Sequence, residues 1–254
     1  MTSSLPTDFP ARSDNAVARE PGKLQPAIVL TRIAKVFGRF AALRDITAEF
    51  HGAKLYVIIG ENGAGKSSLL RIIAGLSPPT AGTIEIAGST GDLPSVSRQI
   101  GYMGHASLLY EEMTGGENLA YFAALYGISG RGVCDAAMSS VGLDPRLALP
   151  VRNYSQGMRQ RLSLARATVN DPQILLLDEP FSNVDPDSSA QITRRLQKLA
   201  AEGKIVIVVT HQPALLAAVA DEFLTISAGR IVNRSTKPHH AAEYLPHNIA
   251  EVRA

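Results

Sequence analysis

Residues 60–67 constrain the fold of this chain more than any other stretch, because they place a glycine-rich loop between two regular elements. Their sequence is Gly-Glu-Asn-Gly-Ala-Gly-Lys-Ser. Residues 54–59 before the loop form a short apolar run, which is typical of a strand buried on both faces. Residues 67–74 after it carry leucine and isoleucine at helical spacing, and Gly75 follows as a helix stop. The chain is therefore predicted to contain a strand–loop–helix unit.

The loop has the composition of a phosphate-binding loop, G-x-x-x-x-G-K-S. Glycines let backbone amides approach phosphate oxygens closely, and the helix N-terminus adds partial positive charge. Lys66 is expected to neutralise the β- and γ-phosphates of a nucleotide, and the Ser67 hydroxyl to hold Mg²⁺. A glycine-rich turn without a ligand is the alternative, which the flanking strand and helix disfavour. The nucleotide-binding residues predicted here are Gly60, Glu61, Asn62, Gly63, Ala64, Gly65, Lys66, Ser67 and Ser68.

Strand and helix patterns alternate along most of the chain, with one helical stretch between them. Strands are predicted at 27–33, 46–50, 54–59, 83–87, 99–103, 173–177, 204–209 and, as the last, 223–227. Residues of about 106–169 contain helical patterns at 117–125, 133–141 and 158–169. A long helix is predicted to begin at Asp185-Pro186 and to end at Gly203. This alternation predicts an α/β fold, a mostly parallel sheet flanked by helices with a helical insertion.

Composition and charge exclude several classes of protein. The chain has 254 residues, 45% hydrophobic and 19% charged, which excludes a wholly disordered or collagen-like protein. Its net charge of +2 argues against binding driven mainly by positive charge, as in many nucleic-acid proteins. The single cysteine, Cys134, favours a reducing compartment. With no long apolar run and no signal-like start, we expect a soluble cytosolic protein. The expected domains are a flexible tail at 1–26, a folded domain at 27–235 and a C-terminal tail at 236–254.

A second acidic site follows a predicted strand. The apolar residues 174–177 end in Asp178 and Glu179, and Pro180 comes next. Asp178 is expected to reach the Mg²⁺ shell, and Glu179 to polarise an attacking water as general base. An acidic strand cap and turn is the alternative. The phosphate-binding loop elsewhere in the chain favours the catalytic interpretation.

With these residues placed, residues 153–161 resemble the signature segment of ATP-binding cassette (ABC) proteins. The usual form of that segment is Leu-Ser-Gly-Gly-Gln, and here Ser155 and Gly157 are retained while the neighbouring residues differ. The resemblance implies that Ser155 and Gly157 contact the γ-phosphate held by an opposite subunit. A helix N-terminus with a serine hydroxyl suits an anion. An ordinary capped helix is the alternative.

Other elements of the ABC family occur in the same order. Phe37 matches the aromatic residue that stacks on adenine, with a core phenylalanine as the alternative. Residues 182–185 resemble the D-loop, whose aspartate, here Asp185, links the two nucleotide sites. His211 follows a predicted strand and matches the switch histidine that contacts the γ-phosphate. A purely structural histidine is the alternative at that position.

One position departs from the family pattern. The strand at 99–103 runs into Gly104-His105, so His105 stands where the family has the glutamine that contacts Mg²⁺ and the attacking water. Imidazole can hydrogen-bond a water but suits Mg²⁺ poorly, and it changes charge near neutral pH. This position and the segments that follow, as far as Leu125-Tyr126-Gly127, are similar to the haem exporter ATP-binding subunits of cytochrome c maturation. Drug and polysaccharide exporters share much of the remainder.

The resemblance covers roughly residues 27–232 and implies a P-loop ABC cassette with a small antiparallel β subdomain. It implies binding of ATP and Mg²⁺, ATP hydrolysis, a head-to-tail homodimer and separate transmembrane permease subunits at the cytoplasmic face of the inner membrane. Haem export is the expected role, and export of a drug, lipid or polysaccharide is the alternative. A non-transport ABC ATPase in DNA repair or translation is disfavoured by the near-neutral charge, so we expect no nucleic-acid partner. The presence of Glu179 and His211 disfavours a non-hydrolysing ATP sensor.

Overall fold

The computed structural model describes residues 28–86, 89–90 and 96–236. The predicted tail at 1–26 lies outside these residues, as does the predicted C-terminal tail beyond residue 236. The strands are β1 (Ile28–Phe37), β2 (Phe40–Phe50), β3 (Lys54–Ile59), β4 (Ala81–Ile86), β5 (Ser89–Thr90), β6 (Ile100–Met103), β7 (Ile174–Asp178), β8 (Ile205–Val209), β9 (Glu222–Ser227) and β10 (Arg230–Ser235). The α-helices are α1 (Lys66–Ile73), α2 (Gly115–Leu125), α3 (Arg131–Ser140), α4 (Gln156–Thr168) and α5 (Pro186–Ala201).

The described strands form two sheets. A six-stranded sheet has the order β10-β9-β3-β8-β7-β6, in which only the β9–β10 pair is antiparallel. A four-stranded antiparallel sheet has the order β2-β1-β4-β5. In the larger sheet, β3, β7 and β8 have a parallel neighbour on each side, and all three end at the same edge. This arrangement confirms the predicted α/β fold with a mostly parallel core sheet and a small antiparallel sheet.

Side chains of β3 point alternately into two hydrophobic cores, one on each face of the larger sheet. Leu55 and Val57 join the core that contains residues of α2, α3, α4 and α5. Tyr56 and Ile58 join the core that contains α1 and the antiparallel sheet. Burial on both faces explains why this strand is a continuous apolar run rather than an alternating one. The two cores therefore fix the position of the loop that follows β3.

The helical stretch predicted at about 106–169 contains α2, α3 and α4. Helix α2 begins two residues before the predicted start, because Thr114 and Glu117 form a reciprocal capping box. The side-chain oxygen of Thr114 accepts a hydrogen bond from the Glu117 amide at 3.2 Å. Among the residues that the structure describes, no helix is both long enough and apolar enough to cross a membrane.

Strand β10 corrects the sequence analysis, which took residues 223–227 as the last strand. The pattern of β10 is weak because its residues alternate between exposed and half-buried positions and include Arg230, Asn233 and Arg234. It lies at the edge of the sheet, where one side of the strand has no neighbouring strand. The turn that joins it to β9 contains Ala228 and Gly229, both with positive φ. The β9–β10 hairpin therefore adds one edge strand to the sheet, after the strand that was predicted to be the last.

Candidate functional site

The phosphate-binding loop lies between β3 and α1, as predicted. Gly65 is the N-cap of α1 and has a φ of 105°, a conformation that residues with a Cβ rarely adopt. A Cβ at this position would also collide with the backbone carbonyl oxygen of Ala42 in β2. The loop is therefore held against the antiparallel sheet at a position that only glycine fits.

Lys66 is a buried cation at the first position of α1. Its side chain is folded over the loop, and Nζ donates hydrogen bonds to the carbonyl oxygens of Gly60 at 2.7 Å and Glu61 at 2.8 Å. Burial lowers the pKa of Lys66, while the negative charges of Glu179 and Asp178 oppose that change. An ammonium carries three donors, so one remains for a further acceptor. The ammonium is thus fixed against two loop carbonyls, with one donor left for an anion.

Ser67 and Asp178 connect the loop to the end of β7. The Ser67 hydroxyl donates a hydrogen bond to Oδ1 of Asp178 at 3.1 Å. Asp178 is only 3% exposed and is the last residue of its strand. A hydroxyl beside a carboxylate is an oxygen-rich pair of the kind that Mg²⁺ prefers. These two residues fit the predicted metal site.

Glu179 lies one residue beyond the end of β7, beside His211, which lies two residues beyond the end of β8. Glu179 Oε2 accepts a hydrogen bond from the backbone amide of His211 at 3.2 Å. The other carboxylate oxygen lies 3.4 Å from Nε2 of the histidine ring. Glu179 also has a φ of 55°, and its amide donates to the carbonyl of Val209 at 2.9 Å. The carboxylate is held in one place by the neighbouring strand.

Most predicted site residues line one pocket of about 430 Å³. The predicted residues in its lining are Phe37, Asn62, Gly63, Gly65, Lys66, Ser67, Ser68, His105, Asp178, Glu179 and His211. Gly60, Glu61 and Ala64 belong to the loop but lie outside that lining. The pocket therefore combines a cation, two carboxylates and two histidines at one edge of the larger sheet.

Two aromatic side chains stand at the mouth of this pocket. Phe37 is 52% exposed and Phe40 is 58% exposed, so Phe37 is not a core phenylalanine. They are paired across the hairpin between β1 and β2. An exposed ring at a pocket mouth suits stacking on a planar base. Sequence analysis missed Phe40, although its spacing from Phe37 around Gly38 is a hairpin signal.

Arg71 also lines the pocket and was missed in the sequence. It follows Ser67 by four residues, so both lie on one face of α1. Burial raises the pKa of the Tyr102 hydroxyl near the end of β6, and the interaction of that hydroxyl with the Arg71 guanidinium opposes the change. His105, three residues further along, lies in the same lining. The arginine thus connects the helix of the phosphate-binding loop to the strand that leads to His105.

The three remaining predicted residues occupy the starts of α4 and α5. Ser155 is the N-cap of α4, and its hydroxyl accepts a hydrogen bond from the Met158 amide at 3.2 Å. Asp185 is the N-cap of α5, as predicted, and accepts from the Ser188 amide at 2.8 Å. All three residues are described by the structure, and none of them lines the pocket.

Sequence comparisons relate the chain to transporter ATP-binding proteins. Residues 43–182 match the family model described as "ABC transporter". A Nod factor export ATP-binding protein I of Sinorhizobium fredii is 33% identical over 236 residues, which are 90% of this chain and 67% of that protein. A sulfate/thiosulfate import ATP-binding protein of Mesostigma viride is 36% identical over 210 residues, which are 81% of this chain and 60% of that protein.

A solved structure has the same fold. It is described as the dimeric post-hydrolysis state of an ATP-binding cassette bound to ADP and Pi. The alignment has a TM-score of 0.75 and 26% sequence identity, and it covers 82% of this chain and 98% of that one. The fold around the pocket is therefore one in which a nucleotide and phosphate have been observed.

Proposed function

Because this chain belongs to the ABC transporter family, we propose that it is the ATP-hydrolysing subunit of an exporter that acts through separate membrane subunits. ATP-binding subunits of this family are ATPases. The observation that carries the proposal is the single pocket that brings together Lys66, the Ser67–Asp178 pair and the Glu179–His211 pair. Residues 27–235 would form the ATPase domain, and the chain would lie at the cytoplasmic face of the inner membrane.

Each residue of the pocket has a role that its surroundings support. Loop amides and the free donor of Lys66 would bind phosphate oxygens, and Phe37 would stack on the adenine. Ser67 and Asp178 would hold Mg²⁺, which supplies positive charge that offsets the phosphate charge. Glu179 would accept the proton of the attacking water as general base. His211, beside that carboxylate, would orient it and donate to the γ-phosphate.

We also propose that two copies close head to tail over two nucleotides. Ser155 and Gly157 lie outside the pocket of their own chain, so they would act on the nucleotide of the other copy. Two copies related by a two-fold axis use the same surface, and each completes the other's site. The structurally similar cassette, described as dimeric, supports this arrangement.

The proposal is tested first by ATP hydrolysis of the purified chain and by co-purification with its membrane subunits. We expect Mg²⁺-dependent phosphate release that Lys66→Ala abolishes. The membrane proteins encoded beside this chain should co-purify with it in detergent. A folded chain that gives no binding heat with millimolar Mg-ATP would contradict the proposal.

The cargo is a separate part of the proposal. Haem export for cytochrome c biogenesis rests on the resemblance at Gly104-His105 and the residues that follow. The relatives named above do not support it, since one is described as a Nod factor exporter and another as a sulfate/thiosulfate importer. The first description favours export of another cargo as the second candidate. Neighbouring cytochrome c maturation membrane proteins would favour haem, whereas a lone six-span permease would favour the second candidate.

A further inference from the structure

The signature helix and the helix after the D-loop touch each other inside one chain. Gly157, in the first turn of α4, faces the start of α5. A Cβ at Gly157 would lie 2.5 Å from Oδ2 of Asp185 and 2.5 Å from Oγ of Ser188. Both oxygens belong to short side chains, so neither can easily move away from an added Cβ. The glycine at this position is therefore required by contacts within the chain, in addition to any contact with a nucleotide.

Ser188 holds the Asp185 side chain in this contact. Its backbone amide donates to Oδ1 of Asp185 at 2.8 Å, and its hydroxyl faces Gly157 together with the other oxygen of that carboxylate. Interaction with the amide and the hydroxyl of Ser188 lowers the pKa of Asp185, which stays ionised. Ser188 is only 4% exposed. The hydroxyl and the Asp185 carboxylate thus both lie against Gly157.

A second contact fixes the same two helices one turn further on. Arg161 lies four residues after Gly157, and Gln191 lies three residues after Ser188, so both pairs share one helix–helix face. Arg161 Nη1 donates to Oε1 of Gln191 at 3.0 Å and to the carbonyl of Gly142 at 2.7 Å. The starts of α4 and α5 are therefore joined by one hydrogen bond and by the close approach at Gly157.

We propose that Ser188 is a positioning residue for ATP hydrolysis, because it sets the distance between the signature helix and the D-loop within one chain. Its hydroxyl holds the Asp185 carboxylate against Gly157 and thereby fixes Ser155 and Gly157 for the nucleotide of the opposite copy. Ser188 itself is not among the residues that line the pocket of its own chain. This inference rests on the proposed head-to-tail dimer.

The first experiment compares two serine substitutions in a Glu179→Gln background, which removes the general base. Ser188→Ala deletes the hydroxyl at the contact. Ser189→Ala makes the same substitution one residue later in α5, at a serine that is also 4% exposed, and serves as the matched control. We expect Ser188→Ala to weaken ATP-dependent dimerisation about fivefold or more, since the lost hydrogen bond counts twice in a two-fold dimer.

The affinity of the monomer for ATP separates positioning from a general loss of structure. The phosphate-binding loop is remote from Ser188 in the sequence and shares no hydrogen bond with it. We therefore expect binding of a fluorescent ATP analogue to the dilute monomer to remain within about twofold of its original value, which is a change of well under 1.36 kcal/mol. Equal dimerisation of the Ser188→Ala and Ser189→Ala proteins would overturn the inference. If Ser188→Ala is insoluble, Ser188→Cys keeps the shape with a weak donor and gives the same comparison.

A double-mutant cycle tests the contact directly. Gly157→Ala should reduce turnover strongly, because its Cβ meets the Ser188 hydroxyl. Ser188→Ala removes that hydroxyl, so the double variant should lose less than the product of the two single losses. Multiplicative losses would show that the Ser188 hydroxyl and Gly157 act independently, and would overturn the inference.

Failure of the inference and failure of the proposed function give different results. If the Glu179→Gln protein with Ser188 and Ser189 intact stays monomeric with ATP while the wild type dimerises, the proposed general base fails. If neither protein dimerises with ATP, the proposed dimer fails. If that protein dimerises and Ser188→Ala changes nothing, only the positioning role of Ser188 fails.

Discussion

The Ser67 hydroxyl and the Asp178 carboxylate are hydrogen-bonded at 3.1 Å, although the two residues are 111 positions apart in the sequence. One belongs to the first turn of α1 and the other ends β7. Parallel strands place their carboxyl ends at one edge of the sheet, and the loop after β3 reaches the same edge. The contact therefore joins two distant motifs into one metal-binding pair.

Removal of the serine hydroxyl should change the response to Mg²⁺. We expect Ser67→Ala to raise the Mg²⁺ concentration that gives half-maximal ATPase activity by about tenfold, as a hydrogen bond to a charged group is lost. The measurement is a Mg²⁺ titration at saturating ATP. Ser140→Ala, at an exposed serine of α3, is the control and should leave the curve in place. An unmoved curve for Ser67→Ala would argue against this metal site.

Lys66 should be needed for both binding and hydrolysis. Lys66→Ala removes the buried ammonium, and we expect no measurable turnover and an ATP affinity at least about tenfold weaker. Lys66→Arg should not restore activity, because a planar guanidinium does not fit the two carbonyl acceptors that Nζ contacts. Calorimetry and phosphate release measure the two effects. Lys198→Ala, at an exposed lysine, should behave as the wild type, and unchanged turnover of Lys66→Ala would refute the loop assignment.

Glu179→Gln should stop hydrolysis without preventing binding. A glutamine keeps the shape but cannot accept the proton of the attacking water, so turnover should fall by about 100-fold or more. The ATP-bound dimer should then persist and elute early in size-exclusion chromatography. A variant that turns over at the wild-type rate would contradict the general-base role.

His105 should affect ATP hydrolysis, because it lies in the pocket lining. A glutamine amide offers a carbonyl oxygen, the kind of ligand atom that Mg²⁺ prefers, whereas an imidazole offers ring nitrogens. We expect His105→Gln to change the rate of phosphate release and its dependence on Mg²⁺ at saturating ATP. The control is His51→Gln, at a histidine outside the pocket lining. Identical rates and Mg²⁺ curves for the wild type and His105→Gln would exclude a role in hydrolysis.

A buried lysine outside the pocket provides a test of stability. Lys204 Nζ donates to Oδ1 of Asp171 at 2.6 Å and to the carbonyl of Pro172 at 2.8 Å, and its side chain is 6% exposed. Asp171→Asn removes the charge opposite this ammonium but retains a residue that tolerates positive φ. We expect the free energy of unfolding to fall by about 1–3 kcal/mol in urea titrations.

The matched control for that test is Asp45→Asn. Asp45 also has a positive φ, of 64°, and it pairs with Arg32 at 3.3 Å. That arginine side chain is 80% exposed, so the pair should contribute less than about 1 kcal/mol. If the two variants lose equal free energy of unfolding, burial of Lys204 does not make its ion pair more stabilising than the exposed one.

Local patterns predicted most of the fold. The buried run of β3, the glycine loop and the N-cap at Asp185 each depend on neighbours in the sequence, and the structure contains all three. Strand β10 was missed because an edge strand with half of its residues exposed has little apolar signal. Its hairpin pairing with β9 is what stabilises it.

Pocket residues that belong to a motif were predicted from the sequence. Pocket residues that only packing places there were missed. Arg71 lies in an ordinary helical pattern, and its place in the pocket follows from its contact with Tyr102 across the core. The contact of Gly157 with Ser188 depends on how α4 and α5 pack, which no local pattern encodes. Family resemblance named Gly157 but assigned it only to the opposite nucleotide.

The backbone ladder between β7 and β8 sets the distance between the proposed base and its histidine. Asp178 is paired with Val209, so Glu179 and His211 emerge from adjacent rungs. A slip of one residue would shift one of them by roughly 3.3 Å along its strand relative to the other. No other register would keep the two side chains in contact, so we expect no partially active form. Heat or denaturant should therefore abolish catalysis at the same midpoint at which the central sheet melts.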